Sequence, residues 1–302
     1  MPELPEVQTT VNGLNKKVKH LLIEDVWTDW AKIIKNISFE NFKKEVVGKK
    51  ILESERRGKN ILMKISGGKT ILFHLKMTGH LLYGKWNNVT DNCHDKKSIW
   101  KPENEGPLCD PYNRFLHVIF FLSDGHQLAF SDVRKFGKIV LLETDSENSS
   151  KDLKDVGPDP LSKEMSLKKL KNIFFDNQNK KIKKFLMEQK YISGIGNIYS
   201  DEILWDAGIH PLEKIKNISE DDIKNIFLSS KKILKTSIRK GGDSMSDYRN
   251  IDGEKGGYQK SHLAYRQTGK PCSKKDGGKI VKIKVGGRSA HFCETHQRLV
   301  GK

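Results

Sequence analysis

One change of pattern constrains the fold of this 302-residue chain more than any other feature. Before residues 143–160 the apolar residues form short strand-like runs, and after them they follow a helical period. The segment itself, ETDSENSSKDLKDVGPDP, is acidic, rich in serine and closed by two prolines, which is typical of a linker. A switch from strands to helices across a linker predicts two domains, and we expect an α+β protein.

The part before the linker is predicted to be a two-sheet β-sandwich with flanking helices. Runs rich in β-branched and aromatic residues are separated by turns such as SGGK and SDGH: ILMKI, TILFHL, LHVIFFL, QLAF and KIVLLE. In front of them, residues 3–19 show the apolar spacing of one amphipathic helix. The polar stretch 84–113 is too long for an ordinary hairpin connection and is expected to be an inserted surface loop. Its Cys93, His94 and Cys109 leave a loop metal site open as an interpretation, but without tight spacing such residues more often bind no metal.

Behind the linker, amphipathic segments with Ser or Asp at their starts and Gly at their ends predict a four-helix domain. A glycine-rich loop at residues 241–260 follows, and its composition permits motion. In the last segment two β-rich runs flank Gly-Gly-Arg, which is a hairpin signal. The predicted ranges are 1–145 for the sandwich, 146–162 for the linker, 163–261 for the helical domain and 262–302 for the hairpin.

The charge balance favours a polyanionic partner. The chain carries 55 Lys and Arg against 38 Asp and Glu, a formal net charge of +17 that suits nucleic acid or an anionic membrane face. On composition alone, a lysine-rich proteome with well-solvated surfaces is the alternative. No apolar run approaches the roughly 18 residues of a membrane-spanning helix, and nothing resembles a secretory signal, so we expect a cytosolic protein without a membrane partner. Four cysteines are too few and too scattered for a disulfide framework.

Eight motifs occur in one order along the chain: MPELPEVQTTVNGL, RRGKNILM, FHLKMTG, SDVRKFG, GPDPL, LMEQKYISGIGNIYSDEILWDAGIHP, GGDSMSDY and GGRSAHFC. Together they closely resemble the formamidopyrimidine-DNA glycosylases, bacterial repair enzymes that remove oxidised purines. The resemblance covers the chain except residues 84–113. It implies a helix–two-turn–helix domain and a zinc-finger-like hairpin behind the sandwich. It also implies a monomer associated with the nucleoid in the cytoplasm, which acts on double-stranded DNA containing 8-oxoguanine or formamidopyrimidines.

The first residues allow two interpretations. Pro2 and Glu3 form a helix start, because Pro is tolerated in a first turn and acidic groups favour the positive end of the helix dipole. The resemblance implies that removal of Met1 also turns Pro2 into an amine nucleophile that attacks a sugar C1′, with Glu3 as general acid and then base. Glu6, one turn along, is expected to orient neighbouring groups. Lys59 resembles the family's catalytic, phosphate-binding lysine, and a solvated surface lysine is the alternative.

Six further residues match the DNA contacts of the family. A glycosylase must flip its target nucleotide and fill the gap. By resemblance Met77 fills the void, Phe136 wedges a base step and Arg134 contacts the opposite cytosine, whereas core packing is the alternative for the two apolar residues. Three residues are expected to bind phosphates: His74, Asn197 at a helix start and Arg288 in the hairpin turn. For His74 a satisfied core histidine is the alternative.

The C-terminal segment departs from the family pattern of two Cys-x2-Cys pairs. Cys293 and His296 keep ligand spacing, and Cys272 keeps the first ligand position, but the second cysteine is missing. If one residue is inserted, Asp276 takes its place, as an allowed but less usual zinc ligand. One structural zinc ion held by these four residues is the expectation, and a hairpin that packs without metal stays open as the alternative.

Two other functions compete with oxidised-purine excision. A glycosylase of the related endonuclease VIII class prefers oxidised pyrimidines, and a catalytically silent binder would recognise damaged DNA without cleaving it. The motif PELPE and the set Met77, Arg134 and Phe136 favour the purine enzyme. The presence of all four residues needed for chemistry and phosphate binding argues against a silent binder: Pro2, Glu3, Lys59 and Asn197.

Overall fold

The structure is a computed structural model that describes residues 1–90, 98–245 and 247–300. Its chain forms two compact units, the first of Met1–Lys154 with Lys240–Gly257 and the second of Asp155–Arg239 with Tyr258–Lys302. The step between the units at residue 154 falls within the predicted linker. Residues 240–257, most of the glycine-rich segment, belong to the first unit and not to the predicted range 163–261. Hydrogen bonds join them to Glu6 and Asn113 of that unit.

Two helices and ten strands make up the described part of the first unit. The helices are α1 (Leu4–Lys17) and α2 (Phe39–Val46). The strands are β1 (Ile23–Thr28), β2 (Ile51–Arg57), β3 (Asn60–Ile65), β4 (Lys69–His74), β5 (His80–Gly84), β6 (Trp86–Thr90), β7 (Ser98–Pro102), β8 (Leu116–Leu122), β9 (Gln127–Ser131) and β10 (Lys138–Glu143). They form two antiparallel four-stranded sheets, of order β1-β8-β9-β5 and β10-β4-β3-β2, and a separate β6–β7 hairpin.

The two sheets and α1 enclose one hydrophobic core. The stripe of α1 that faces it contains Val7, Val11 and Leu14, as the helical spacing predicts. Phe73 of β4 and Phe120 of β8 come from different sheets and meet edge to face, with ring centroids 6.0 Å apart. The predicted two-sheet sandwich is therefore confirmed.

Helix α1 is fixed to the sandwich by polar contacts as well. The Asn15 side chain donates to the carbonyl of Ser54 at 2.8 Å and accepts from the Ser54 N–H at 2.7 Å. These two hydrogen bonds satisfy the N–H and the carbonyl of Ser54 on the outer edge of β2, where no neighbouring strand pairs with it. The contacts hold the helix and, with it, the first residues of the chain.

The predicted inserted loop, residues 84–113, contains regular structure. Strands β6 and β7 pair from Trp86 with Pro102 to Thr90 with Ser98. Cys93 and His94 lie outside the described residues, and Cys109 is exposed and donates to the carbonyl of Asn104 at 3.6 Å. The insertion is thus a hairpin followed by two short 3-10 turns, Pro107–Cys109 and Pro111–Arg114.

The second unit contains the four predicted helices and the predicted hairpin. The helices are α3 (Leu167–Phe175), α4 (Ile182–Met187), α5 (Asn197–Ala207) and α6 (Glu220–Arg239), and the strands are β11 (Ile280–Val285) and β12 (Arg288–Cys293). The hairpin turn requires left-handed backbone at Gly286 and Gly287, with φ of +55° and +79°. Within the described ranges, no helix combines the length and apolar character needed to cross a bilayer.

Candidate active site and nucleic-acid interface

The start of α1 brings Pro2, Glu3 and Glu6 together. Pro2 and Glu3 are buried, whereas Met1 is 46% exposed. Glu3 and Glu6 form a capping box in which the Glu3 side chain accepts the Glu6 N–H, and Glu6 Oε2 accepts the Glu3 N–H at 2.7 Å. The helix-start interpretation of these residues is therefore correct. The same contacts fix Glu3, and Pro2, the other residue expected to react, directly precedes it.

Glu6 has a second partner far along the chain. Its Oε1 accepts the N–H of Asp243 at 2.8 Å, and its backbone carbonyl accepts the hydroxyl of Tyr248 at 3.0 Å. Both carboxylate oxygens of Glu6 thus accept a backbone N–H, one from Glu3 at the start of α1 and one from Asp243. This is the orienting role that the sequence predicts for Glu6.

A group of basic side chains surrounds His74 at the ends of three neighbouring strands. Asn60 of β3 and Lys138 of β10 both pair with His74 of β4, and Lys59 directly precedes Asn60. Lys59 is only 7% exposed, so it is not a solvated surface lysine. Burial, followed by the charges of Lys76, Lys138 and Lys59, lowers the pKa of His74 to about 3.

The hydrogen bond at His74 fixes which ring nitrogen carries its proton. The backbone N–H of Lys76 donates to Nδ1 of His74 at 3.0 Å. A neutral His74 that accepts at Nδ1 holds its proton on Nε2. His74 is therefore a hydrogen-bond donor within a cationic group, an arrangement that suits a phosphate oxygen.

Met77, Arg134 and Phe136 meet on an exposed surface. Arg134 Nη1 lies 3.2 Å from Met77 Sδ, and the Arg134 guanidinium carbon lies 4.6 Å from the Phe136 ring centroid. Met77 is 40% and Phe136 50% exposed, so neither packs in the core. Exposed apolar side chains beside an arginine can enter a gap in a base stack.

In the second unit, the start of α5 lies beside the turn of the β11–β12 hairpin. Asn197 is the first residue of α5, and its Nδ2 donates to Ser289 Oγ at 3.4 Å. Ser289 follows the exposed Arg288 in the chain. The first N–H groups of a helix have no acceptor within the helix. Asn197 and Arg288 therefore belong to one surface with anion-binding character.

Cys272, Asp276, Cys293 and His296 form one cluster, in which an atom of each side chain able to bind a metal lies within 4.8 Å of the others. Cys272 Sγ lies 3.6 Å from His296 Nδ1, and Cys293 Sγ lies 3.5 Å from Asp276 Oδ2. A tetrahedral zinc ion with bonds of about 2.0–2.3 Å spans such separations. His296 Nε2 lies 3.1 Å from the carbonyl oxygen of Trp205, an outer contact typical of metal-bound histidines. The donor set fits zinc.

Comparison with known proteins identifies the family. Sequence models of the formamidopyrimidine-DNA glycosylase N-terminal domain and H2TH domain match residues 1–139 and 156–249. The formamidopyrimidine-DNA glycosylases of Pelotomaculum thermopropionicum and Lactiplantibacillus plantarum are 36% and 35% identical to the chain over 299 residues. These residues cover 99% of this chain and 100% of each relative. The chain belongs to the formamidopyrimidine-DNA glycosylase family.

Solved structures of the family share the fold. The chain is similar to a mutant Lactococcus lactis Fpg in complex with DNA containing Fapy-dG, with a TM-score of 0.83 and 32% identity over 98% of this chain and 100% of that one. It is equally similar to the Lactococcus lactis Fpg in complex with DNA containing an abasic site, over 98% of this chain and 99% of that one. Both neighbours are complexes with damaged DNA.

The sequence did not reveal two residues that hold the turns carrying the expected DNA contacts of this glycosylase. The buried Asp132 carboxylate accepts the backbone N–H groups of Phe136 and Gly137, each at 2.8 Å, in the turn that presents Arg134. The Gln189 side chain accepts the N–H of Gly194 at 2.8 Å in the turn before α5. Asp132 is the first residue after β9, in the motif SDVRKFG, and an Asp at a turn start was the available signal. Gln189 carries no comparable signal in the sequence.

Asp201 joins α5 to the hairpin inside the second unit. Its Oδ2 accepts the backbone N–H of His291 at 3.0 Å, and its Oδ1 pairs with Lys183 Nζ at 2.5 Å. Asp201 and Lys183 are both fully buried. A buried pair of this kind fixes one arrangement of the elements it joins, because breaking it leaves an uncompensated charge.

Proposed function

We propose that the protein is a bifunctional DNA glycosylase and AP lyase that excises oxidised purines, 8-oxoguanine and formamidopyrimidines, from double-stranded DNA. The observation that carries this proposal is the buried Pro2 directly before Glu3, which the capping box with Glu6 holds at the start of α1. The structural neighbours, complexes with Fapy-dG and abasic-site DNA, support a purine lesion and a reaction at the abasic sugar.

The reaction begins after removal of Met1, because the Pro2 nitrogen is an amide while Met1 is attached. The freed amine lies at the positive end of a 14-residue helix, which disfavours its ammonium form and leaves it nucleophilic at neutral pH. The Pro2 nitrogen attacks C1′ and the bond from C1′ to the base breaks, and the proton that the Pro2 nitrogen loses on forming the new bond neutralises the departing base. Glu3 donates a proton to the ring oxygen as the sugar opens, giving an iminium between C1′ and Pro2.

Strand cleavage follows from the iminium. The Glu3 carboxylate removes a proton from C2′, and the bond from C3′ to its phosphate oxygen breaks. Glu3 passes that proton to water, and its carboxylate then removes a second proton, from C4′, which expels the phosphate on C5′. Water then hydrolyses the iminium and restores the Pro2 amine. Glu3 thus acts first as acid and then as base, which its position beside the nucleophile permits.

DNA binding is proposed to use both units of a monomer associated with the nucleoid. Phe136 and Met77 fill the gap left by the flipped nucleotide, and Arg134 contacts the opposite base. The remaining contacts are to phosphates: Lys59, His74, Asn197 and Arg288. Light scattering on the free protein and on its complex with a duplex tests the monomer, and a dimeric mass would contradict it.

The four-residue cluster is proposed to hold one structural zinc ion. The bound ion would cross-link the loop containing Cys272 and Asp276 to Cys293 and His296 and so stabilise the hairpin that carries Arg288. The zinc content of the purified protein, compared with that of a Cys293→Ala variant, tests this. One equivalent in the parent and none in the variant is expected, whereas a metal-free parent would show that the hairpin packs without zinc.

Borohydride trapping tests the activity. Wild-type protein is incubated with duplexes that contain 8-oxoguanine or thymine glycol, and covalent complexes are resolved and weighed. We expect a complex on the 8-oxoguanine duplex in which the protein lacks Met1, and none with Met1 retained. Failure to trap either duplex would reject the enzyme, and preferential trapping on thymine glycol would assign the protein to the pyrimidine-specific class.

A further inference from the structure

Residues 240–245 and 247–257, called here the glycine loop, form a closed loop on the first unit. At its neck, the N–H of Gly257 donates to the carbonyl of Lys240 at 2.7 Å. The backbone approaches itself so closely there that a Cβ on Gly256 would lie 2.3 Å from the carbonyl oxygen of Gly242. The N–H of Gly256 also donates to Ser244 Oγ at 2.8 Å. The two ends of the loop therefore lie close together.

One end of the glycine loop is bound to the first turn of α1. Glu6 accepts the N–H of Asp243 with one carboxylate oxygen and the N–H of Glu3 with the other. Gly242 has a φ of +83°, and a Cβ there would lie 3.0 Å from Glu6 Oε1. A single side chain thus spans the distance between the reacting end of α1 and the glycine loop.

The middle of the glycine loop, residues 249–253, is bound to the insertion, residues 84–113. Arg249 is 1% exposed, and its Nη2 donates to both carboxylate oxygens of Asp110 at 3.0 Å. The Arg249 guanidinium carbon lies 4.8 Å from the ring centroid of Tyr112. Asn113 Nδ2 donates to the carbonyl of Gly253 at 3.1 Å. The insertion therefore supplies a charged partner for a buried guanidinium of the same loop that Glu6 binds at Asp243.

We propose that the insertion positions the glycine loop for capture of the extruded base, with Asp110 and Arg249 as positioning residues. The inference rests on the proposed function. The base departs from C1′, the carbon that Pro2 attacks, so an extruded base lies beside the first turn of α1. Gly242 and Asp243 lie against that turn through Glu6, so in this proposal the glycine loop lies beside the extruded base. An abasic sugar has no base, so its cleavage does not depend on this position of the loop.

Three variants test the proposal. Arg249→Met removes the guanidinium with little change in volume, and Asp110→Asn keeps the shape of its side chain but removes the charge. Asp252→Asn is the matched control, because it breaks an exposed ion pair of the same loop with Lys17, 3.1 Å long. Single-turnover rates of base release from an 8-oxoguanine duplex and of strand cleavage at a preformed abasic site are compared with wild type.

We expect Arg249→Met and Asp110→Asn to slow base release on the order of tenfold or more, since small misplacements of contact groups have effects of this size. Abasic-site cleavage stays within about twofold of wild type, and Asp252→Asn changes neither rate. Base release and abasic-site cleavage could instead fall equally, in proportion to the folded fraction measured by thermal melting. That result would show that Asp110 and Arg249 only stabilise the fold, and it would overturn the proposal. Unchanged base release in both variants would overturn it as well.

Amide hydrogen exchange provides a readout that does not depend on activity. The N–H of Asp243, which Glu6 accepts, is expected to exchange faster in Arg249→Met and Asp110→Asn than in wild type or Asp252→Asn. Unchanged exchange would overturn the proposal even if the protein cleaved no DNA. Faster exchange in a protein that cleaves neither duplex would instead support the positioning contact and reject the proposed function.

Discussion

Replacement of Asp132 by Asn should release the turn that presents Arg134 and Phe136. The Asp132 carboxylate is fully buried and has four donors within the first unit. Its Oδ2 accepts the N–H groups of Phe136 and Gly137 at 2.8 Å, and its Oδ1 accepts the N–H of Arg134 at 3.2 Å and the hydroxyl of Thr78. Thr78 follows Met77 in the chain. The Asp132 carboxylate therefore holds both the turn that carries Met77 and the turn that carries Arg134 and Phe136.

The size of the effect follows from the number of acceptors lost. An amide has one oxygen, so in either orientation its NH2 group faces two donors that the carboxylate accepts. With the NH2 group on the Oδ1 side, the Thr78 hydroxyl can turn and accept from it, so the less costly orientation leaves one donor, the N–H of Arg134, without an acceptor. A buried donor left without an acceptor costs about 1–3 kcal/mol, which is the loss expected for Asp132→Asn.

Urea denaturation and opposite-base preference together test the prediction. Asp132→Asn should unfold at lower urea and should excise 8-oxoguanine opposite cytosine and opposite adenine at more similar rates, because Arg134 is no longer fixed. Asp124→Asn is the control, since Asp124 accepts the N–H of His126 at 3.0 Å in a turn outside the site. A loss below about 1 kcal/mol in Asp132→Asn, or an unchanged preference in a destabilised protein, would refute the reasoning.

Three other predictions concern pH, salt and metal. Because burial lowers the pKa of His74 from 6.5 to about 3, its contribution to stability is complete above pH 6.5 and lost as the pH falls towards 3. The free energy of unfolding, measured by urea denaturation, should therefore fall more steeply with decreasing pH in wild type than in His74→Gln, by up to about 1.4 kcal/mol per pH unit. Equal slopes in the two proteins would contradict this. Arg288→Ala should lower the slope of log affinity against log salt by about one, measured by fluorescence anisotropy on a duplex; an unchanged slope would exclude a phosphate contact. A zinc chelator should lower the melting temperature of wild type but not of Cys293→Ala, and an equal shift in both would point to another metal site.

Local sequence patterns predicted the elements with continuous apolar runs and missed those without them. Helix α1 was expected at residues 3–19 and occupies Leu4–Lys17, and five expected strands are present as β3, β4, β8, β9 and β10. Strand β2, ILESERR, was missed because it lies at the edge of its sheet and buries only Ile51 and Ser54. The β6–β7 hairpin was missed because its sequence is polar and turn-rich. An edge strand needs to bury only one face, so its sequence shows a weak hydrophobic pattern.

The site was predictable where its residues are close in sequence and unpredictable where distant segments meet. The capping box of Glu3 and Glu6 is visible in a single turn of sequence. The contact of Glu6 with Asp243 joins residues 237 positions apart, and that of Arg249 with Asp110 joins residues 139 apart. No local pattern encodes such pairs. The glycine loop therefore looked like part of the helical domain, although its hydrogen bonds place it in the first unit.

Buried carboxylates hold the contact-bearing segments in each unit of this basic protein. Glu6 and Asp132 accept backbone N–H groups in the first unit, and Glu202 accepts those of Leu263, Ala264 and Tyr265 in the second. A buried carboxylate persists only where several donors compensate its lost hydration, so each one fixes the backbone of the segment around it. The protein has a net charge of +17, and these buried acidic residues act as internal hydrogen-bond acceptors. Arg134, which is expected to meet DNA, lies on the turn that Asp132 holds.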